Sequence, residues 1–71
     1  MKYRYFLEKN GISLGIGNVY VTDQDLTKGH WWDGHDKEGL THNIGDADRK
    51  LLYTKNKFKE LTQEDVFLMV L

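Results

Sequence analysis

The chain has no cysteine and no proline, and its single serine is Ser13. Without cysteine there is no disulfide and no thiolate zinc site, so any metal would rest on imidazole and carboxylate ligands. A secreted domain of 71 residues is more often cross-linked, which makes the cytoplasm the expected location. A lone serine in a predicted strand gives little support to a hydroxyl nucleophile with a histidine base. No run approaches the roughly 20 apolar residues that span a bilayer. The N-terminal residues Met1–Lys9 lack the apolar core of a signal peptide. With no low-complexity tract, repeat or linker-like stretch, one soluble unit over residues 1–71 is expected.

Size sets a second limit. A chain this short buries about 60% of its unfolded surface, and one small core leaves roughly 3–5 kcal/mol of net stability. An enclosed active site is hard to build within that margin, so a non-enzymatic role is expected and no cofactor is implied.

What is present is concentrated in one octapeptide. Gly29-His30-Trp31-Trp32-Asp33-Gly34-His35-Asp36 holds both tryptophans and two of the three histidines. Neighbouring side chains on a strand point to opposite faces, so two adjacent indoles do not both face inward. At least one Trp is expected at the surface, and an exposed indole beside acids and imidazoles is the composition of a recognition loop. The partner-binding residues are therefore expected to be His30, Trp31, Trp32, Asp33, His35 and Asp36.

The net charge of −1 conceals a division along the chain. Residues 1–22 carry Lys2, Arg4 and Lys9 against Glu8, whereas residues 23–48 carry seven acids against Lys28 and Lys37 and contain every histidine. In the last third, Arg49, Lys50, Lys55, Lys57 and Lys59 run without an intervening acid. Such separation suits steering toward a charged partner, or pairing between the two halves of the chain.

Residues 2–8 alternate as a strand, with Tyr3, Tyr5 and Leu7 on one face and Lys2, Arg4 and Glu8 on the other, interrupted by Phe6. Asn10-Gly11 is a hairpin signal, Ile12–Ile16 its partner strand, and Gly15 and Gly17 a bend before a third strand, Asn18–Thr22. The same glycines lack the third glycine and the following helix of a dinucleotide loop. Asp23–Leu26 reads as a short 3₁₀ turn. Residues 23–48 show little periodicity, and short strands are expected near His30–Asp33 and Leu40–Ile44, anchored by one Trp, Leu40 and Ile44. Arg49–Thr54 reads as a strand with Leu51 and Tyr53 on one face and Leu52 on the other. Lys55–Lys57 would then turn, with Phe58 and Leu61 continuing the core. Thr62 to Asp65 matches a capping box for a helix from Gln63, but the six apolar residues Val66–Leu71 fit a buried strand equally well. On either reading they belong to the core.

The expected fold is mainly β: four or five antiparallel strands in an SH3-like, partly open barrel with at most one short C-terminal helix. The alternative is an α+β sheet packed by that helix. The first functional reading is a small accessory protein, of the kind bacteria and their viruses use, which binds and modulates a larger protein through the acidic Trp-containing loop. The second is single-stranded nucleic-acid binding through Lys55–Lys59, where lysines interleave with Tyr53 and Phe58. The overall negative charge argues against it. The third is a metal site of His30, Asp33 and His35, with Asp36, His42, Asp46 and Asp48 as further candidate ligands. Their spacing fits no established motif. Asp23-x-Asp25 and Asp46-x-Asp48 lack the glycine and distal glutamate of a calcium loop. No membrane partner is expected.

Overall fold

The computed structural model describes residues 3–9, 18–34 and 40–70, with the side chain of Val70 left aside. The elements run β1 (Arg4–Glu8), β2 (Val19–Thr22), β3 (Lys28–Trp31), β4 (His42–Asn43), α1 (Asp46–Leu52), β5 (Phe58–Leu61) and α2 (Gln63–Val70). The strands form one antiparallel five-stranded sheet in the order β4-β3-β2-β1-β5, open at both edges. The mainly β fold with a short C-terminal helix is as expected. The neighbours of β1 are β2 on one side and β5 on the other. The turn at Asn10-Gly11, the strand Ile12–Ile16 and the Gly15/Gly17 bend fall outside the described residues.

Phe6 is no interruption of the β1 pattern, because the sheet is covered on both faces. On one face Phe6 (1% exposed) packs with Leu26, Ile44, Leu52 of α1 and Phe58, with Tyr20 beside them. On the other, Val19, Val21 and Trp32 pack with Tyr3, Tyr5, Leu7, Leu40, Leu61, and Val66 and Met69 of α2. Register explains the split, since Phe6 lies opposite Tyr20, while Tyr5 and Leu7 lie opposite Val21 and Val19. A strand buried on both faces must be apolar on both.

Residues 49–54 depart from the strand expected there. Asp46–Leu52 is a helix, with Asp46 and Asp48 in its first turn, Arg49 and Lys50 in its last, and an Asp46–Arg49 ion pair three residues apart. Those charges complement the helix dipole, and the segment contains no β-branched residue to oppose the helix. Leu52 alone is buried, so Leu51 and Tyr53 face outward.

The C-terminal segment resolves to a helix. The Asp65 carboxylate accepts the Thr62 N–H at 3.0 Å and the Thr62 hydroxyl accepts the Asp65 N–H at 3.1 Å, completing the capping box. The Thr62 backbone N–H first, and then the Thr62 side chain, hold the Asp65 carboxyl below the usual range. The segment is not core throughout, however. Val66 and Met69, three residues apart, meet the sheet, whereas Phe67 and Leu68 are 61% and 60% exposed.

Polar contacts secure the β2–β3 loop and the β1–β5 pair. Residues 23–26 form a turn closed by the Leu26 N–H on the Asp23 carbonyl at 3.4 Å, the i to i+3 bond of the expected 3₁₀ turn, with buried Leu26 at a left-handed φ of 56°. The Asp23 carboxylate accepts the Thr27 N–H at 2.7 Å, the Thr27 hydroxyl and the Lys28 N–H at 3.4 Å. Arg4 donates to the Gln24 carbonyl and Arg49 to that of Leu26. Arg4 also binds Glu60 through two bonds of 2.9 Å, and its guanidinium lies over the rings of Phe6 and Tyr53.

Two tests follow from these contacts. Met69→Ala should lower stability by about 1–2 kcal/mol in urea melts, less than a fully buried methionine would, whereas Phe67→Ala or Leu68→Ala should stay within about 0.5 kcal/mol. Stability should also fall in acid. The bond from Arg4 holds the Glu60 carboxyl below its ordinary range despite some desolvation; at Asp23, desolvation pushes upward but the bonds from Thr27 and Lys28 outweigh it. A carboxyl lowered by folding contributes stability that is complete above its unfolded value and is lost as pH falls through the folded one. The melting temperature should therefore be level from neutrality to about pH 5 and decline below about pH 4, less steeply in Glu60→Gln.

Candidate protein-binding surface

Trp31, the last residue of β3, and Trp32, which follows it, go to opposite faces of the sheet. Trp32, 4% exposed, donates its backbone N–H to the Val19 carbonyl at 2.7 Å and meets the Tyr5 ring edge-on at 5.2 Å. It is a core residue, and with Ile44 and Leu40 it anchors the long middle segment as expected. Trp31 is 51% exposed on the α1 side. Its ring is held edge-to-face by Tyr20, the residue opposite it in β2, at 5.2 Å and 82°.

Tyr20 owes its position to Gly29. A Cβ built at Gly29 would lie 2.5 Å from Tyr20 Cε2 and 2.8 Å from the Val21 carbonyl oxygen. The ring therefore fills the space a side chain would take, which leaves the strand without a gap at its glycine. Burial pushes the Tyr20 hydroxyl pKa upward, and the charge of Asp48 adds to this.

Between β3 and α1 lies a cleft of about 250 Å³ lined by Tyr20, Trp31, Asp48, Leu51, Leu52 and Phe58. Leu51, displayed by the outer side of α1, is 43% exposed. Five of the six lining side chains are apolar or aromatic, and Asp48 supplies the single charge. The arrangement suits an apolar side chain with a cation next to it.

The other expected site residues divide. His30 lies opposite Val21, half-buried, with Nε2 shielded from solvent and without a hydrogen-bond partner among the described residues. Asp33 is exposed at the end of β3, and His42 is exposed in β4 opposite Gly29. His35 and Asp36 lie outside the described residues. Among the described residues no three His, Asp or Glu side chains converge as a metal site, and no helix is long and apolar enough to cross a membrane. Sequence reasoning missed Tyr20 and Leu51, and it took Asp48 only as a metal candidate. Strand register and the 46–52 helix bring these three to Trp31, and neither is a local motif.

The chain matches no known family, curated protein or solved structure.

Gly29→Ala should be costly although the residue carries no function of its own. The new methyl must displace the Tyr20 ring and meets a carbonyl that does not move freely. A loss of about 1–3 kcal/mol is expected, and Trp31 fluorescence should shift toward that of a fully solvated indole.

Proposed function

We propose that the protein is a non-catalytic interaction module, an accessory factor that binds and modulates a larger protein through the surface around Trp31. The observation that carries the reading is an exposed indole held by Tyr20 over an apolar cleft. Aromatic anchors of this kind dominate interface energetics, and holding the ring in place before binding reduces the entropy lost on association. The partner chemistry that fits is a Leu-, Met- or Phe-sized side chain flanked by Lys or Arg, the cation meeting Asp48. The site is narrower than the acidic loop as a whole: Trp31 is its centre, and Trp32 contributes through the fold.

The test begins with affinity capture from the native host and continues with calorimetry on the purified pair. Trp31→Ala should leave the circular dichroism spectrum and melt close to wild type and weaken binding by about 30-fold or more, the equivalent of roughly 2 kcal/mol. Asp48→Lys should weaken it further through repulsion of the partner's cation. Trp32→Ala should lower the melting temperature instead. Unchanged affinity in both Trp31→Ala and Leu51→Asp would place the contact elsewhere and defeat the reading.

A further inference from the structure

A second cleft, of about 410 Å³, opens on the other side of Leu52 and Phe58. Its floor is Phe6 and Phe58, and its rim carries Lys9, Tyr53 and Lys55; Lys59, opposite Leu7 in the β1–β5 ladder, turns its side chain to the α2 face. Lys9 is brought there from the far end of the chain, its backbone N–H donating to the Lys57 carbonyl at 2.7 Å. Neither Lys9 nor Lys55 forms an ion pair with an acid of the described residues.

The single acid of the lining is Glu60, and Arg4 engages both of its carboxylate oxygens. Its charge is cancelled within the protein, so the cleft presents a positive excess. Tyr53, 59% exposed, is tied at its hydroxyl by Arg4 at 3.4 Å, with the guanidinium 5.8 Å from the ring centre. A fixed, solvent-facing ring among unpaired lysines supplies the two elements that single strands require: cations that follow phosphates, and a surface on which a base stacks.

We infer that the cleft bounded by Lys9, Tyr53 and Lys55 binds single-stranded nucleic acid, with the lysines on phosphates and a base against Tyr53. A net charge of −1 would oppose this if charge were spread evenly. It is not, because Asp48 lines the neighbouring cleft while this one gathers lysines from both ends of the chain. A purely acidic chain such as polyglutamate would meet the lysines equally well but carries no planar group to stack on the ring. The exposed ring therefore favours a nucleic acid over it.

The experiment is fluorescence anisotropy of labelled oligodeoxynucleotides over a salt series, with polyglutamate as competitor. Binding should weaken with salt at a log–log slope of about −1.4, about 0.7 for each of two neutralised phosphates. Tyr53→Ala should weaken it by about 5- to 100-fold while Tyr53→Phe, which keeps the ring, binds as wild type. Lys9→Glu with Lys55→Glu should abolish it. All three positions are exposed, so each variant should retain the wild-type circular dichroism spectrum and melt. Absence of binding at low salt would overturn the inference, as would indifference to the lysine substitutions. Equal competition by polyglutamate with no effect of Tyr53→Ala would overturn it too, reducing the cleft to a general site for acidic polymers.

Discussion

The structure depends on burying β1 and β2 from both sides. Phe6 faces α1, while Tyr5, Leu7, Val19 and Val21 face α2, so a 71-residue chain divides its apolar side chains between two small clusters. Neither cluster has a full layer above it. Seven residues of α1 make a rod about 10 Å long, whereas five strands at roughly 4.8 Å spacing span about 19 Å. A helix of that size covers the middle of its face and leaves an opening on each side. The two clefts flanking Leu52 and Phe58 are the geometric remainder of a cover that is too small. They cost little to keep, because the residues that would fill them would require a longer chain.

Charge then distinguishes two openings that share a wall. The cleft toward β3 receives Asp48 from the acidic middle of the chain; the one toward β5 receives Lys9 from its beginning and Lys55 from its last third. Antiparallel pairing of β1 with β5 brings those two basic segments together, with the Arg4–Glu60 pair between them. Mutual repulsion among the lysines is tolerable at an exposed edge, where water and salt screen it. The near-neutral total therefore describes neither surface.

Much of this fold was legible in the sequence, and the failures share one cause. Strand alternation at Tyr3–Leu7, the β-branched residues of β2, the capping box at Thr62 and the need for one exposed indole were all local signals, and they held. The segment 49–54 was misread because an isolated Leu-Leu-Tyr offers no period. The helix signal sat upstream, in the acids of its first turn. The apolar tail was taken as core throughout because six consecutive apolar residues give no hint of which face meets the sheet. Of the candidate site, Trp31 was accessible to reasoning from neighbouring residues. Tyr20, Leu51, Lys9 and the outward face of Tyr53 were not, since each acquires its place from a register or a helix phase set elsewhere.

Register also settles which tryptophan becomes the anchor. Side chains on a strand alternate, so a slip of one residue in β3 would bury Trp31 and present Trp32. Gly29 opposes that slip, because only a position without a Cβ fits beneath the Tyr20 ring, and the slipped strand would place His30 there. The loop before it is held just as firmly, with Asp23 capping Thr27 and Lys28, and Arg4 and Arg49 taking its carbonyls. Leu26 accepts a left-handed backbone that costs about 1 kcal/mol in return for a buried side chain that contributes more. The close approach that lets Tyr20 support Trp31 is thus the same contact that fixes Trp31 as the outward residue. Anchor and register rest on one glycine.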